Sequence, residues 1–229
     1  MKKSIIASVL CGLVIFSSCG TMSQTGKGAI IGSGAGAALG SVVGALIGKD
    51  AKAAAIGAAV GTAVGAGTGT LIGHKMDKKA EELAAIENAK IETITDVNGL
   101  PGIKVTFDSG ILFDFNKSNV SATAKKDIAD FAAKMKDLED TDITVYGHTD
   151  NKGTAEVNQR ISQQRADSVA ELLKTNGIAA GRITSKGMSF DMPVADNDTE
   201  AGRQQNRRVE IYITADENMI AAAEAGTLE

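Results

Sequence analysis

Two residue types that recognise opposite charges stand 15 positions apart, Asp150 and Arg165. An arginine offers a planar, always-charged fork that suits a carboxylate. An aspartate accepts from an ammonium, so the pair can hold both ends of a zwitterion. Ile143-Thr144-Val145-Tyr146 alternates β-favouring residues and runs into Gly147-His148-Thr149-Asp150-Asn151-Lys152-Gly153, so a strand should deliver Asp150 to a turn. Asn158, Ile161, Ser162, Arg165, Ala166, Val169, Leu172 and Leu173 then recur with the spacing of an amphipathic helix that stops at Asn176-Gly177. A turn and two helical turns separate Asp150 from Arg165, which lets them face one pocket.

Other chemistries find less support. His148 beside Asp150 is the kind of pair used in metal binding or general acid–base work. The other histidine is His74, no His-x-x-x-His motif exists, and both cysteines precede residue 20. Acids are too common to single out two carboxylates for glycoside hydrolysis. The expectation is a protein that is not an enzyme and needs no cofactor or metal. The plain structural alternative has Asp150 capping the helix and Arg165 bridging to it.

The flanking chain supplies a scaffold. Ile91 to Val97 and Ile103 to Phe107 read as strands of a hairpin joined around Asn98-Gly99-Leu100-Pro101-Gly102. Ile111 to Phe115 reads as a third strand, and Ser121 to Leu138 as a helix with a serine cap. Arg182 to Gly187 reads as a strand, Asn197 to Arg208 as a polar loop or short helix, and Arg208 to Thr214 as a closing strand. The order β-β-β-α-β-α-β-β predicts an α+β domain with helices on one face of a small mixed sheet.

Gly147-His148-Thr149-Asp150, Gly153, Asn158, Ile161-Ser162-x-x-Arg165-Ala166, Gly177-Ile178, Arg182-Ile183, Pro193, Asn197-x-Thr199, Gly202-Arg203 and Asn206-Arg207-Arg208-Val209-Glu210-Ile211 resemble the OmpA C-terminal-like peptidoglycan-binding family. Ile161 stands where that family usually has Leu, and Ser189 interrupts a frequent Gly-x-Gly. The resemblance implies an OmpA-like βαβαβ core over residues 92–215 that binds the diaminopimelate stem peptide of peptidoglycan. It places the ligand-holding acid and arginine at Asp150 and Arg165, with Thr149 and Asn158 as neighbouring polar contacts. Asp114, Arg203 and Arg208 are second-tier candidates.

The N-terminal part differs in kind. Met1-Lys2-Lys3 and the apolar Ser4 to Phe16 form a leader, expected to occupy residues 1–18. Ser17-Ser18-Cys19-Gly20 resembles a lipobox, which makes Cys19 the expected acylation site, heading a short anchored stretch, 19–27. Gly20 is not Asp, so the inner-membrane retention rule does not apply and the outer membrane is expected, with the C-terminal domain in the periplasm. Formal charge is −4, and without Lys2 and Lys3 the chain has 22 basic against 28 acidic residues, so nucleic acid is not an expected partner.

Gly28, Gly32, Gly36, Gly40, Gly44 and Gly48 recur at every fourth residue, and the spacing resumes at Gly57, Gly61, Gly65, Gly69 and Gly73. The stretches 28–48 and 53–74 carry no Asp, Glu, Lys or Arg over 21 and 22 residues, each roughly 31–33 Å long as a helix, close to the hydrocarbon thickness of a bilayer. Interspersed Ile, Leu and Val argue against a flexible linker, and rows of small residues let helices approach closely. The segment resembles the glycine zippers of bacterial envelope proteins, and residues 28–73 are read as a helical hairpin that packs on the membrane or on copies of itself. A solvated helical linker is expected over 74–91, and residues 216–229 are a tail without a reading. The whole describes a lipid-anchored tether between outer membrane and peptidoglycan. The alternative is a self-assembling membrane or pore component, a homo-oligomer through Gly28 to Gly73, whose C-terminal domain only anchors it to the wall.

Overall fold

The computed structural model describes residues 66–96, 98–113 and 118–228. Cys19, Asp114 and the glycine stripe before Ala66 lie outside them. Helix α1 (Ala66–Leu83) leads into strands β1 (Ala89–Thr95) and β2 (Pro101–Asp108), a short helix α2 (Ser109–Leu112) and helix α3 (Ala122–Lys134). Strand β3 (Thr141–Gly147), helix α4 (Ala155–Thr175), strand β4 (Ile183–Gly187), helix α5 (Glu200–Asn206), strand β5 (Arg208–Ala215) and helix α6 (Glu217–Glu224) follow.

The strands form one sheet in the order β1-β2-β5-β3-β4, in which β3 and β4 are parallel and the other neighbours antiparallel. Alternation fixes which side chains face the helices. Ile103, Val105 and Phe107 of β2, Val209, Ile211 and Ile213 of β5, and Ile143 and Val145 of β3 are buried together with Phe131 of α3 and Val169 of α4. Each buried side chain of this size contributes about 1.5–3 kcal/mol. The alternate residues Lys104, Thr106, Tyr212, Glu210 and Tyr146 form the opposite, polar face, where Tyr146 and Tyr212 meet edge to face at 5.3 Å. This is the mixed α+β architecture that the sequence pattern predicts.

Three local expectations change. Ile111-Leu112 lies in α2, and Phe113 makes only an isolated bridge to Val120, so no third strand begins there. Asp108 starts that helical turn by accepting from Gly110 N–H at 2.6 Å, a local bond that competes with an extended chain. The tail is ordered, because Asp216 caps α6, which buries Met219 and Ala223. The largest change is in α1, which is not a solvated spacer. It runs across the expected boundary at residue 73, with Gly69, Ile72, Gly73, Met76 and Leu83 buried. The Lys79 ammonium is buried too and bonds to Lys134 O at 2.7 Å, Asp137 Oδ1 at 2.6 Å and Glu82. The apolar residues at 72, 76 and 83 have helical spacing, but lysines and acids between them mask the stripe in composition. Among the described residues no helix is long and apolar enough to cross a membrane.

Candidate functional site

Two glycines bring the sheet end against α4. A Cβ on Gly147 would sit 2.1 Å from Ser162 O, and one on Gly187 would sit 2.5 Å from Gln163 N, so only glycine permits this approach. Ser162 Oγ donates to Gln159 O and accepts from Ser189 N–H, both at 3.0 Å, which pins the segment after β4 to the helix. Ser189 itself has φ +49, the left-handed region where glycine is favoured, at the position where Gly-x-Gly is interrupted.

Beyond Gly147 the chain turns. Thr149 N–H donates to Ser189 O at 2.9 Å, and Asp150 Oδ1 accepts from Lys152 N–H at 3.0 Å. Asn158 Nδ2 donates to Lys152 O at 2.8 Å, so this buried amide holds the turn from the first coil of α4. Thr154, not Asp150, caps α4, accepting from Val157 N–H. The capping half of the structural alternative therefore fails.

Asp150, Thr149, Asn158, Arg165 and Arg203 line one cavity of about 790 Å³, together with Ser109, Gly110, Phe113, Lys152, Val157, Ile161, Glu200 and Arg207. Asp150 and Arg165 are both buried. The Arg165 guanidinium lies over the Phe113 ring at 5.2 Å. Burial lowers its pKa from the usual guanidinium value, the Arg207 charge lowers it further, and Asp150 opposes both; an arginine nonetheless stays charged.

Arg207 is the site residue that sequence reasoning passed over. Its Nη1 donates to Asp150 Oδ2 at 2.6 Å and its Nη2 to Glu200 Oε1 at 2.9 Å. Burial works against its charge, but the bonds to Asp150 and Glu200 outweigh that and raise its pKa. The signal was in the pattern: at the mouth of β5, alternation sends Arg207 and Arg208 to opposite sides. Ser109 was also passed over. Its hydroxyl and that of Thr149 are buried in this cavity without a partner among the described residues, which is unusual for buried polar groups.

Two second-tier candidates have other work. Arg203 lines the cavity, but its donors go to Glu200 Oε2, Asn197 O and Asp198 O. Arg208 does not join the group at all. It sits on the polar sheet face, where Nε donates to Glu210 Oε1 at 2.9 Å and Nη2 to Met192 O at 3.0 Å. There Glu210 Oε2 also meets His148 Nε2 at 3.2 Å. Burial pushes Glu210 up, but His148 and Arg208 outweigh it and bring its pKa to about 2. His148 is held below the usual imidazole value, chiefly by burial. In this buried cluster His148 and Arg208 share Glu210.

Family comparison gives a consistent result. Residues 112–207 match the OmpA family, and residues 1–77 match the YMGG-like Gly-zipper. Outer membrane porin F of Pseudomonas fluorescens is 43% identical over 49% of this chain and 34% of its own length, so the chain spans about a third of that protein. Outer-membrane lipoprotein YfiB of Pseudomonas aeruginosa is 31% identical over 60% of this chain and 79% of its own. Among solved structures, the cell wall anchor of the T6SS from Pseudomonas aeruginosa superimposes with a TM-score of 0.52 at 28% identity, covering 62% of this chain and 97% of that one. The glycine-assisted sheet end, the cavity at it and these matches together make the chain a member of the OmpA family, carrying a YMGG-like Gly-zipper region at its N-terminus.

Proposed function

We propose that the protein is a non-enzymatic, peptidoglycan-binding lipoprotein of the outer membrane, which grips the wall through the diaminopimelate end of a stem peptide. The observation that carries this reading is the cavity lined together by a buried carboxylate, a buried guanidinium, and Ser109 and Thr149, whose buried hydroxyls have no partner among the described residues. A diaminopimelate end carries a carboxylate and an ammonium on one carbon. Arg165 takes the carboxylate by its fork, Asp150 takes the ammonium beside its bond to Arg207, and Thr149 and Ser109 complete the polar lining. The likeness to a cell wall anchor and to an outer-membrane lipoprotein supports the same reading. Cys19 carries the acyl anchor.

Co-sedimentation with purified sacculi tests it. Hydrogen bonds to charged groups contribute about 1.5–3 kcal/mol, so Asp150→Ala and Arg165→Ala should each weaken binding roughly ten- to hundredfold. Stem peptides with lysine in place of diaminopimelate lack the side-chain carboxylate and should compete poorly. Folded variants that still sediment like the parent would remove Asp150 and Arg165 from the site. A parent protein left in the supernatant would remove the wall-binding function.

A further inference from the structure

The sheet has two edges, and they are finished differently. At β4 the side chains of α4 close the edge: Gln163 Oε1 accepts from Gly187 N–H at 2.7 Å, Gln159 Nε2 donates to Gly187 O at 2.9 Å, and Ser185 Oγ donates to Asp167 at 2.6 Å. At β1 no such closure exists among the described residues. Asp96 N–H donates to Leu100 O at 2.8 Å, and antiparallel alternation from that bond makes Ile94, Glu92 and Lys90 the residues that exchange bonds with β2. The N–H and C=O groups of Ile91, Thr93 and Thr95 therefore point away from the sheet.

Space flanks this edge on both sides. Towards the helices, a groove of about 590 Å³ is lined by Asp77, Ala80, Glu81, Ala84, Ile91 and Thr93, with Glu92 at its rim. On the polar face, a second groove of about 650 Å³ reaches Lys90, Glu92 and Lys104. An added strand sends alternate side chains to opposite faces, and here both sets would have room. The helix-side groove is lined by the acids Asp77 and Glu81 with small alanines as its apolar floor, while the Glu92 carboxylate turns to the polar face, where Lys104 and Lys90 hold it.

We infer that the β1 edge takes up an extended segment of a partner protein by strand addition, and that this segment carries Lys or Arg at alternate positions facing Glu81. Backbone pairing along Ile91, Thr93 and Thr95 supplies the affinity, and the acidic groove selects the side chains. A second copy of this chain fits less well, because antiparallel pairing would bring Glu81 and Asp77 of the two copies into a shared groove. The inference does not depend on wall binding, since this edge and the Asp150 cavity share no residue.

The test uses the full chain in detergent and a labelled nine-residue peptide alternating Lys with Val, followed by fluorescence anisotropy. The parent should bind it, and a Glu–Val peptide at least tenfold more weakly. Thr93→Pro deletes an outward N–H without touching a bond to β2, and proline is tolerated at such edge positions. It should weaken binding at least tenfold while unfolding stays cooperative. Glu81→Lys should weaken binding about three- to fivefold, as expected for one exposed ion pair. Failure of the parent to bind, equal binding of the two peptides, or an unchanged Thr93→Pro would each overturn the inference. So would a dimer of the parent that Thr93→Pro converts to monomer, since a second copy would then hold the edge.

Discussion

Arg207 and Arg208 are neighbours in sequence and belong to different environments. Arg207 is a third exposed and pairs with Asp150 at a cavity also lined by Ser109 and Thr149, whose hydroxyls have no partner among the described residues. Arg208 is buried and donates to Glu210 Oε1, while Glu210 Oε2 serves both His148 and Tyr212. Both oxygens of Asp150 and both of Glu210 are engaged, and His148 Nδ1, like the Ser109 and Thr149 hydroxyls, has no partner among the described residues, so the two clusters differ in exposure rather than in completeness. A residue's charge and its place in a motif therefore do not assign it to recognition. Its exposure and its partners do.

Glu210 offers the largest break in this contrast. Removing one member of a buried ion cluster strands the others, so Glu210→Ala should lose about 3–5 kcal/mol of stability in urea unfolding. The remaining folded protein should keep its sacculus affinity. A loss of affinity without a loss of stability would mean that the polar face belongs to the site.

Arg207→Gln is the mirror experiment. Its pair is partly exposed, so stability should change by less than about 1 kcal/mol. Affinity for sacculi should drop about tenfold, because Asp150 Oδ2 loses the bond that orients it and 1.4 kcal/mol is tenfold. Equal losses in both measurements would erase the distinction between the two arginines.

The third break uses pH. The folded His148 pKa lies below its unfolded value of about 6.5. Acid therefore protonates the unfolded chain first, and the stability this group contributes, complete above that value, is lost as pH falls through it. The stability difference between the parent and His148→Gln should accordingly shrink below pH 6.5, by at most about 1.4 kcal/mol per pH unit. A difference constant from neutral to mildly acid pH would contradict the burial of His148. Glu210 acts lower, since its stabilisation is present above about 4.5 and lost on the way to about 2.

The smallest change sharpens the scaffold shared by both clusters. Ser189 combines a left-handed backbone with a buried hydroxyl that has no partner among the described residues. Ser189→Gly should stabilise by about 0.5–1 kcal/mol, and sacculus affinity should not move. Destabilisation would indicate that the Ser189 hydroxyl has a partner after all.

Much of this was legible in advance where one physical rule dominates. Period-two alternation gave β2, β3 and β5, and the spacing from Asn158 to Leu173 gave α4 and its buried face. A strand, a turn and two coils brought Asp150 towards Arg165, while Thr149 and Asn158 came only from the family resemblance. Arg207 was not legible as their neighbour, because its partner Asp150 is 57 residues away and the choice between it and Arg208 depends on which way β5 enters the sheet. The docking of α1 was hidden for a related reason. Its polar residues outnumber its buried ones, and Lys79 reads as a surface residue until Asp137 and Lys134 O meet it.

That docked helix also bears on mechanics. A free helical spacer over 74–91, 18 residues, would let a membrane anchor stand about 27 Å from the wall-binding body. With α1 seated against β1, β2 and α6, that slack is gone from the stretch after Ala66. Tension along the tether would enter at the first turn of α1 and pass directly into the sheet. To peel the helix away, the load must drag the Lys79 ammonium out of its buried seat against α3. A few residues would thus act as a mechanical clasp between α1 and the end of α3.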